Sequence, residues 1–128
     1  MKVGLIGLGR MGEGMSRRML KEGIQTYGYR RNYAKAQEAA ERGYITAAAD
    51  SLESLVQVTK QDGESGIYQL VIPAELVEDT INELLPLLSS GDIIIDHGNS
   101  NFKDSRKRAE RLAELGIEYI DCGTSGGV

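Results

Sequence analysis

The stretch "VGLIGLGRMG", residues 3–12, decides the fold. Val3 to Ile6 is a short apolar run between Lys2 and Gly7, the pattern of a strand buried on both faces. Gly7 to Gly12 then matches G-x-G-x-x-G, and Met11, Met15 and Met19 recur every four residues as a helical stripe that stops at Gly23. The glycine pattern alone is weak and fits a turn that merely joins strand to helix. Here it closes a strand and opens a helix, the context in which it binds a dinucleotide. Gly7 permits the tight turn, Gly9 lets the backbone approach a pyrophosphate, and Gly12 lets the helix lie close to the strand. The backbone N–H groups through Leu8, Arg10 and Met11 then face the phosphates at the helix start.

Working outward, "IQTYGY" (24–29) alternates like a strand, and "AKAQEAAERG" (34–43) has the composition of a helix closed by glycine. Leu52, Leu55 and Val56 fit a short helix, followed by the polar loop "KQDGESG" and a strand "IYQLVI" that stops at Pro73. Val77, Ile81, Leu84, Leu85 and Leu88 make the next helical stripe, with Pro86 near its end. "DIIID" (92–96) is a buried strand, and "IEYID" (117–121) is the last. Between them "KDSRKRAERLAELG" is a charged helix whose apolar side is Ala109, Leu112 and Ala113. The order β-α-β-α-α-β-α-β-α-β predicts an α/β fold, with right-handed crossovers between parallel strands. The expected architecture is a Rossmann-type, doubly wound parallel sheet in three α/β/α layers. Residues 1–128 form one dinucleotide-binding domain without internal linker or repeat.

Composition excludes several classes. The chain has 128 residues, 41% hydrophobic and 27% charged, ordinary for one globular core. A net charge of -4 argues against general nucleic-acid binding. The single histidine, His97, rules out a multi-histidine metal site, so no metal is expected. The single cysteine, Cys122, forms no internal disulfide and reads as a packing residue. No apolar run approaches the roughly 18 residues that span a bilayer, and the N-terminus lacks the layout of a signal peptide. These features predict a cytoplasmic protein with no membrane partner.

The second strand ends at Tyr29 and is followed by Arg30, Arg31 and Asn32, with no Asp or Glu between Gly23 and Glu38. NAD-binding folds carry an acid there, about 20 residues beyond the glycines, to hold the ribose hydroxyls. Arginine cannot accept those bonds, but its guanidinium fork suits a phosphate dianion. The pair therefore predicts preference for the 2′-phosphate of NADP, against the alternative of two solvated arginines. Three more segments fall at strand ends, where ligands of open α/β sheets bind. Ile72, Pro73 and Ala74 offer a compact wall against the cofactor. "HGNSN" (97–101) brings uncharged donors and acceptors, and "GTSGG" (123–127) allows close backbone approach. Asn101 also suits the cap of the following helix, and 125–127 an ordinary turn.

"GLIGLGRMG", "DHGNSNFKDS" and "GTSGGV", in this order and spacing, resemble the decarboxylating 6-phosphogluconate dehydrogenases. The resemblance spans all 128 residues but covers only the N-terminal, cofactor-binding domain of that family. It implies oxidation of 6-phosphogluconate by NADP at C3 and loss of carbon dioxide, giving ribulose 5-phosphate in the pentose phosphate pathway. It further implies that Gly7 to Gly12 hold the pyrophosphate and Arg30 to Asn32 the adenosine 2′-phosphate. Ile72 to Ala74 would line the cofactor, Asn99 would touch cofactor and substrate, and Ser125, Gly126 and Gly127 would bind substrate. Two positions depart from the family pattern. His97 stands where glycine is usual, and Arg30 stands where this form of the glycine turn often pairs with aspartate and NAD.

The resemblance places the lysine base and glutamate acid in a helical domain that also makes the family's dimer or higher assembly, and none of it is expected within these residues. Lys103 and Lys107 read as solvated face, so no catalytic residue is assigned here, and binding without turnover is predicted. Two alternatives stay open. One is the cofactor domain of another β-hydroxyacid dehydrogenase, such as 3-hydroxyisobutyrate dehydrogenase. The other is a free-standing NADP-binding or sensing module.

Overall fold

The computed structural model describes residues 2–7, 10–60, 63, 65–98 and 102–122, with backbone alone at 10, 11 and 102. The elements run β1 (Lys2–Ile6), α1 (Arg10–Lys21), β2 (Gln25–Tyr29), α2 (Tyr33–Glu41), β3 (Ala47–Ala48), α3 (Leu52–Thr59), β4 (Ile67–Leu70) and α4 (Ala74–Leu84). A 3-10 turn at Leu85–Leu87, containing Pro86, leads to β5 (Ile93–Asp96), α5 (Phe102–Ala113) and β6 (Glu118–Asp121). Among the described residues, six strands form one parallel sheet of order β3-β2-β1-β4-β5-β6.

This order explains the burial. The chain winds outward from β1 to β3, then returns to β4 on the other side of β1, so β1 and β4 are central and the winding reverses between them. Val3 to Ile6 are all buried, as a strand covered on both faces must be. Right-handed crossovers put α1 and α2 on one face and α3, α4 and α5 on the other. Each face has its own core. Leu5, Ala36, Ala39 and Ile45 pack on the first. Leu55, Val77, Ile81, Leu84 and Leu112 pack against Tyr68, Leu70 and Ile94 on the second.

Four details differ from the sequence reading. Ala47–Ala48 adds a strand, held by parallel pairing with Tyr27 and Gly28, because two alanines carry no strand signature of their own. β4 ends at Leu70, short of Ile72, although Val71 N still bonds Ile6 O. On α5, Ala113 is exposed, and the buried side runs through Ser105, Arg108 and Leu112. Cys122 is exposed rather than packed, since it lies just beyond the edge strand β6.

A polar knot ties the amino ends of β4 and β5. Asp92, 1% exposed, accepts hydrogen bonds from Lys60 Nζ (2.9 Å), Gly66 N (2.8 Å) and Ser89 N (2.8 Å). The carboxylate is thereby paired and multiply hydrogen-bonded, the condition under which a buried charge is tolerated.

Candidate functional site

At the carboxyl ends of the central strands the backbone ladder runs on. Gly7 N donates to Tyr29 O (2.9 Å), Val71 N to Ile6 O (2.8 Å) and His97 N to Leu70 O (2.9 Å). Gly7 has φ 93°, and a Cβ there would lie 2.3 Å from Val71 O and 2.7 Å from Ile72 Cγ2. Only glycine meets both conditions. A Cβ on Gly12 would lie 2.5 Å from Gly7 O, so this glycine lets α1 start close against the turn. The first and last glycines of the motif are thus sterically required. Leu8 and Gly9 lie outside the described residues, and Arg10 and Met11 supply the opening backbone of α1.

Beside this turn lies a cleft of about 370 Å³. Ile6 and Gly7 from β1, Tyr29 to Asn32 after β2, and Val71 to Pro73 after β4 line it, and Leu52, Leu76, Thr80 and Glu83 complete it from α3 and α4. It therefore sits at the point where the winding reverses, the usual ligand crevice of such sheets. Its walls are mainly aliphatic, with two guanidinium groups at the β2 side, an arrangement suited to a flat ring with an anionic substituent. Of the expected residues, Gly7, Arg30, Arg31, Asn32, Ile72 and Pro73 come together here. Ala74, the first residue of α4, does not line the cleft. Asn32 has a structural duty as well, since its Oδ1 caps α2 by accepting from Lys35 N (3.3 Å). Leu52, Leu76, Thr80 and Glu83 escaped the sequence reading because they face the cleft from helices whose placement no local motif reveals.

The exit of β5 is fixed from both faces. On one, the fully buried Asp96 accepts from Gly98 N through Oδ1 (2.7 Å) and from the Tyr119 hydroxyl through Oδ2. Burial and the Asp96 carboxylate push the Tyr119 hydroxyl up to about 12, with Arg108 opposing. Arg108 Nη1 lies 3.8 Å from Asp96 Oδ2, while its Nε reaches Glu78 at 2.6 Å. The Arg108 hydrogen bond chiefly holds the Glu78 carboxyl below the usual carboxylate range, against some desolvation, and Arg111 adds a contact at 2.9 Å. On the other face, His97 Nε2 lies 2.8 Å from Gln69 Oε1, which only accepts, so Nε2 carries the proton. Partial burial holds the imidazole below its ordinary value, and nearby Asp96 offsets this in part. His97 is thus engaged in a bond to β4.

A hollow of about 450 Å³ on the helical face is lined by Glu78, Asp104, Lys107, Arg108 and Arg111, but Glu78 already pairs with both arginines. Lys103 and Lys107 are exposed, as expected. Asn99, Ser125, Gly126 and Gly127 lie outside the described residues.

Residues 2–128 match the family described as the NAD binding domain of 6-phosphogluconate dehydrogenase. The chain belongs to this family. A decarboxylating 6-phosphogluconate dehydrogenase of Drosophila simulans is 40% identical over 128 residues, covering 98% of this chain and 26% of its own length. The 6-phosphogluconate dehydrogenase of Plasmodium falciparum, solved in its apo form, with its cofactor NADP+ and with its substrate 6-phosphogluconate, superposes with a TM-score of 0.83 at 29% identity. That match covers 96% of this chain and 27% of the other. The 3-hydroxyisobutyrate dehydrogenase of Mycobacterium tuberculosis gives a TM-score of 0.77 at 20% identity, over 92% of this chain and 38% of the other, which shows the shared fold alone. The chain thus spans about a quarter of the Drosophila relative and corresponds to the N-terminal cofactor domain of 6-phosphogluconate dehydrogenase.

Proposed function

We propose that this domain binds NADP and serves an enzyme that oxidatively decarboxylates 6-phosphogluconate to ribulose 5-phosphate. The observation that carries the cofactor reading is the cleft at the sheet's reversal point with Arg30 and Arg31 at one side. The tight, Cβ-free backbone at Gly7 fits close passage of a pyrophosphate, which the turn from Leu8 and Gly9 to Arg10, Met11 and Gly12 would cradle. Arg30 and Arg31, with Asn32, hold the adenosine 2′-phosphate. Ile72 and Pro73 line the cofactor, and Ala74 contributes as the backbone that opens α4.

NADP bound there supplies the hydride acceptor. Asn99 holds both ligands, and Ser125, Gly126 and Gly127 hold the sugar acid. Removing the substrate's hydroxyl proton needs a base near that oxygen, and none of the residues assigned to this site supplies one. The chain alone therefore binds without turning over.

Three readouts test this. Calorimetry should give one NADP site, tightened by 6-phosphogluconate and unaffected by 3-hydroxyisobutyrate. NADPH absorbance should stay flat with both ligands present. No NADP binding would contradict the cofactor reading, and tightening by 3-hydroxyisobutyrate alone would move the substrate to the other dehydrogenase class. Sustained NADP reduction would contradict the placement of the base elsewhere.

A further inference from the structure

The segment leaving β5 and the wall of the dinucleotide cleft are not independent. A Cβ on Gly98 would lie 2.7 Å from Ile72 O, 2.8 Å from Val77 Cγ2 and 2.9 Å from Asp96 Oδ1. The chain at 98 is therefore wedged against Ile72, itself a wall of the cleft. What holds it there is the hydrogen bond from Gly98 N to Asp96. Asp96 is in turn gripped by the Tyr119 hydroxyl from β6 and approached by Arg108 of α5, which Glu78 of α4 holds at 2.6 Å. The grip thus joins β5, β6, α4 and α5 behind one peptide N–H.

We propose that Asp96 is a positioning residue, locked by the Tyr119 hydroxyl beside Arg108, that sets the β5 exit against the Ile72 wall for the half of NADP beyond the pyrophosphate. This inference rests on the NADP reading of the cleft. The 2′-phosphate end is served by Arg30 to Asn32 after β2, whereas β5 lies next to β4 on the side away from β2. A dinucleotide crossing the strand ends meets β5 with its other half. A fault at Asp96 should therefore be felt by whole NADP and not by its adenosine fragment.

The test compares NADP with 2′,5′-ADP, which carries the 2′-phosphate and adenine but no nicotinamide, on the 128-residue chain. Asp96→Ala should weaken NADP about tenfold, the loss of one buried, charge-assisted hydrogen bond, while 2′,5′-ADP changes by less than about twofold. Asp96→Asn, which keeps an acceptor for Gly98 N, should restore most NADP affinity. Tyr119→Phe leaves Asp96 and Gly98 in place and removes only the lock, so it gives a reading even if Asp96→Ala does not fold. It should weaken NADP about threefold, again without effect on 2′,5′-ADP. Parallel loss of both ligands in folded variants, or unchanged NADP affinity, would overturn the positioning role. Wild-type chain that binds neither ligand would instead overturn the NADP reading on which the role depends.

Discussion

Gly7 shows how much of this site is fixed by single residues. Its positive φ and the 2.3 Å approach to Val71 O are separate penalties for any side chain. Gly7→Ala should lower the unfolding free energy by about 2–4 kcal/mol in urea denaturation, from strain plus overpacking. NADP binding should be lost in the folded fraction. His97 offers a second test because it is the chain's single histidine. Its folded value is depressed by burial, so the fold favours neutral imidazole. Stability linked to it is present above about pH 6.5 and is lost as pH falls through the folded value. His97→Gln should flatten that part of the stability-versus-pH curve, and an unchanged curve would remove His97 as its source. The placement of Gly7, Arg30 and Arg31 at the cleft was legible in the sequence because it is local to a turn and a strand end. Asp96 was not, because its setting depends on Tyr119, 23 positions away, and on a helix whose buried side the sequence put at Ala109, Leu112 and Ala113 and not at Arg108.

Elements divide along the same line. β1 and β5 were legible as unbroken apolar runs and β2 by its alternation. β3 was not, since its two residues are strands only by pairing with β2. α5 was legible as a helix, but its buried face was misread. The spacing of Ser105, Arg108 and Leu112 is helical, and only the pairing of Arg108 with Glu78 makes an arginine acceptable there. α3 carries a test at its start. Ser51 and Ser54 form a reciprocal capping box, with Ser54 N to Ser51 Oγ at 3.0 Å and Ser51 N to Ser54 Oγ at 3.3 Å. Ser51→Ala should cost about 1 kcal/mol in thermal or urea unfolding, because it leaves the Ser54 N–H without its acceptor.

For the whole molecule, stability and binding sit at opposite ends of the sheet. The Asp92 knot ties the end away from the cleft, so Asp92→Ala should cost about 3–5 kcal/mol by stranding Lys60 and two backbone donors. NADP affinity of the folded remainder should be unchanged, and a parallel loss of affinity would show that the two ends are coupled. The other end gathers Gly7 and the two arginines around one crevice, with the β5 exit packed behind its Ile72 wall. The chain's net charge is -4, so attraction for a 2′-phosphate must come from this local pair and not from the molecule's overall field. The most direct test is calorimetric titration of the 128-residue chain with NADP and with NAD, repeated on Arg30→Asp. The account predicts that NADP binds at least about tenfold more tightly, a difference of about 1.4 kcal/mol, and that the variant loses this preference. Equal or tighter binding of NAD by the wild-type chain would contradict it.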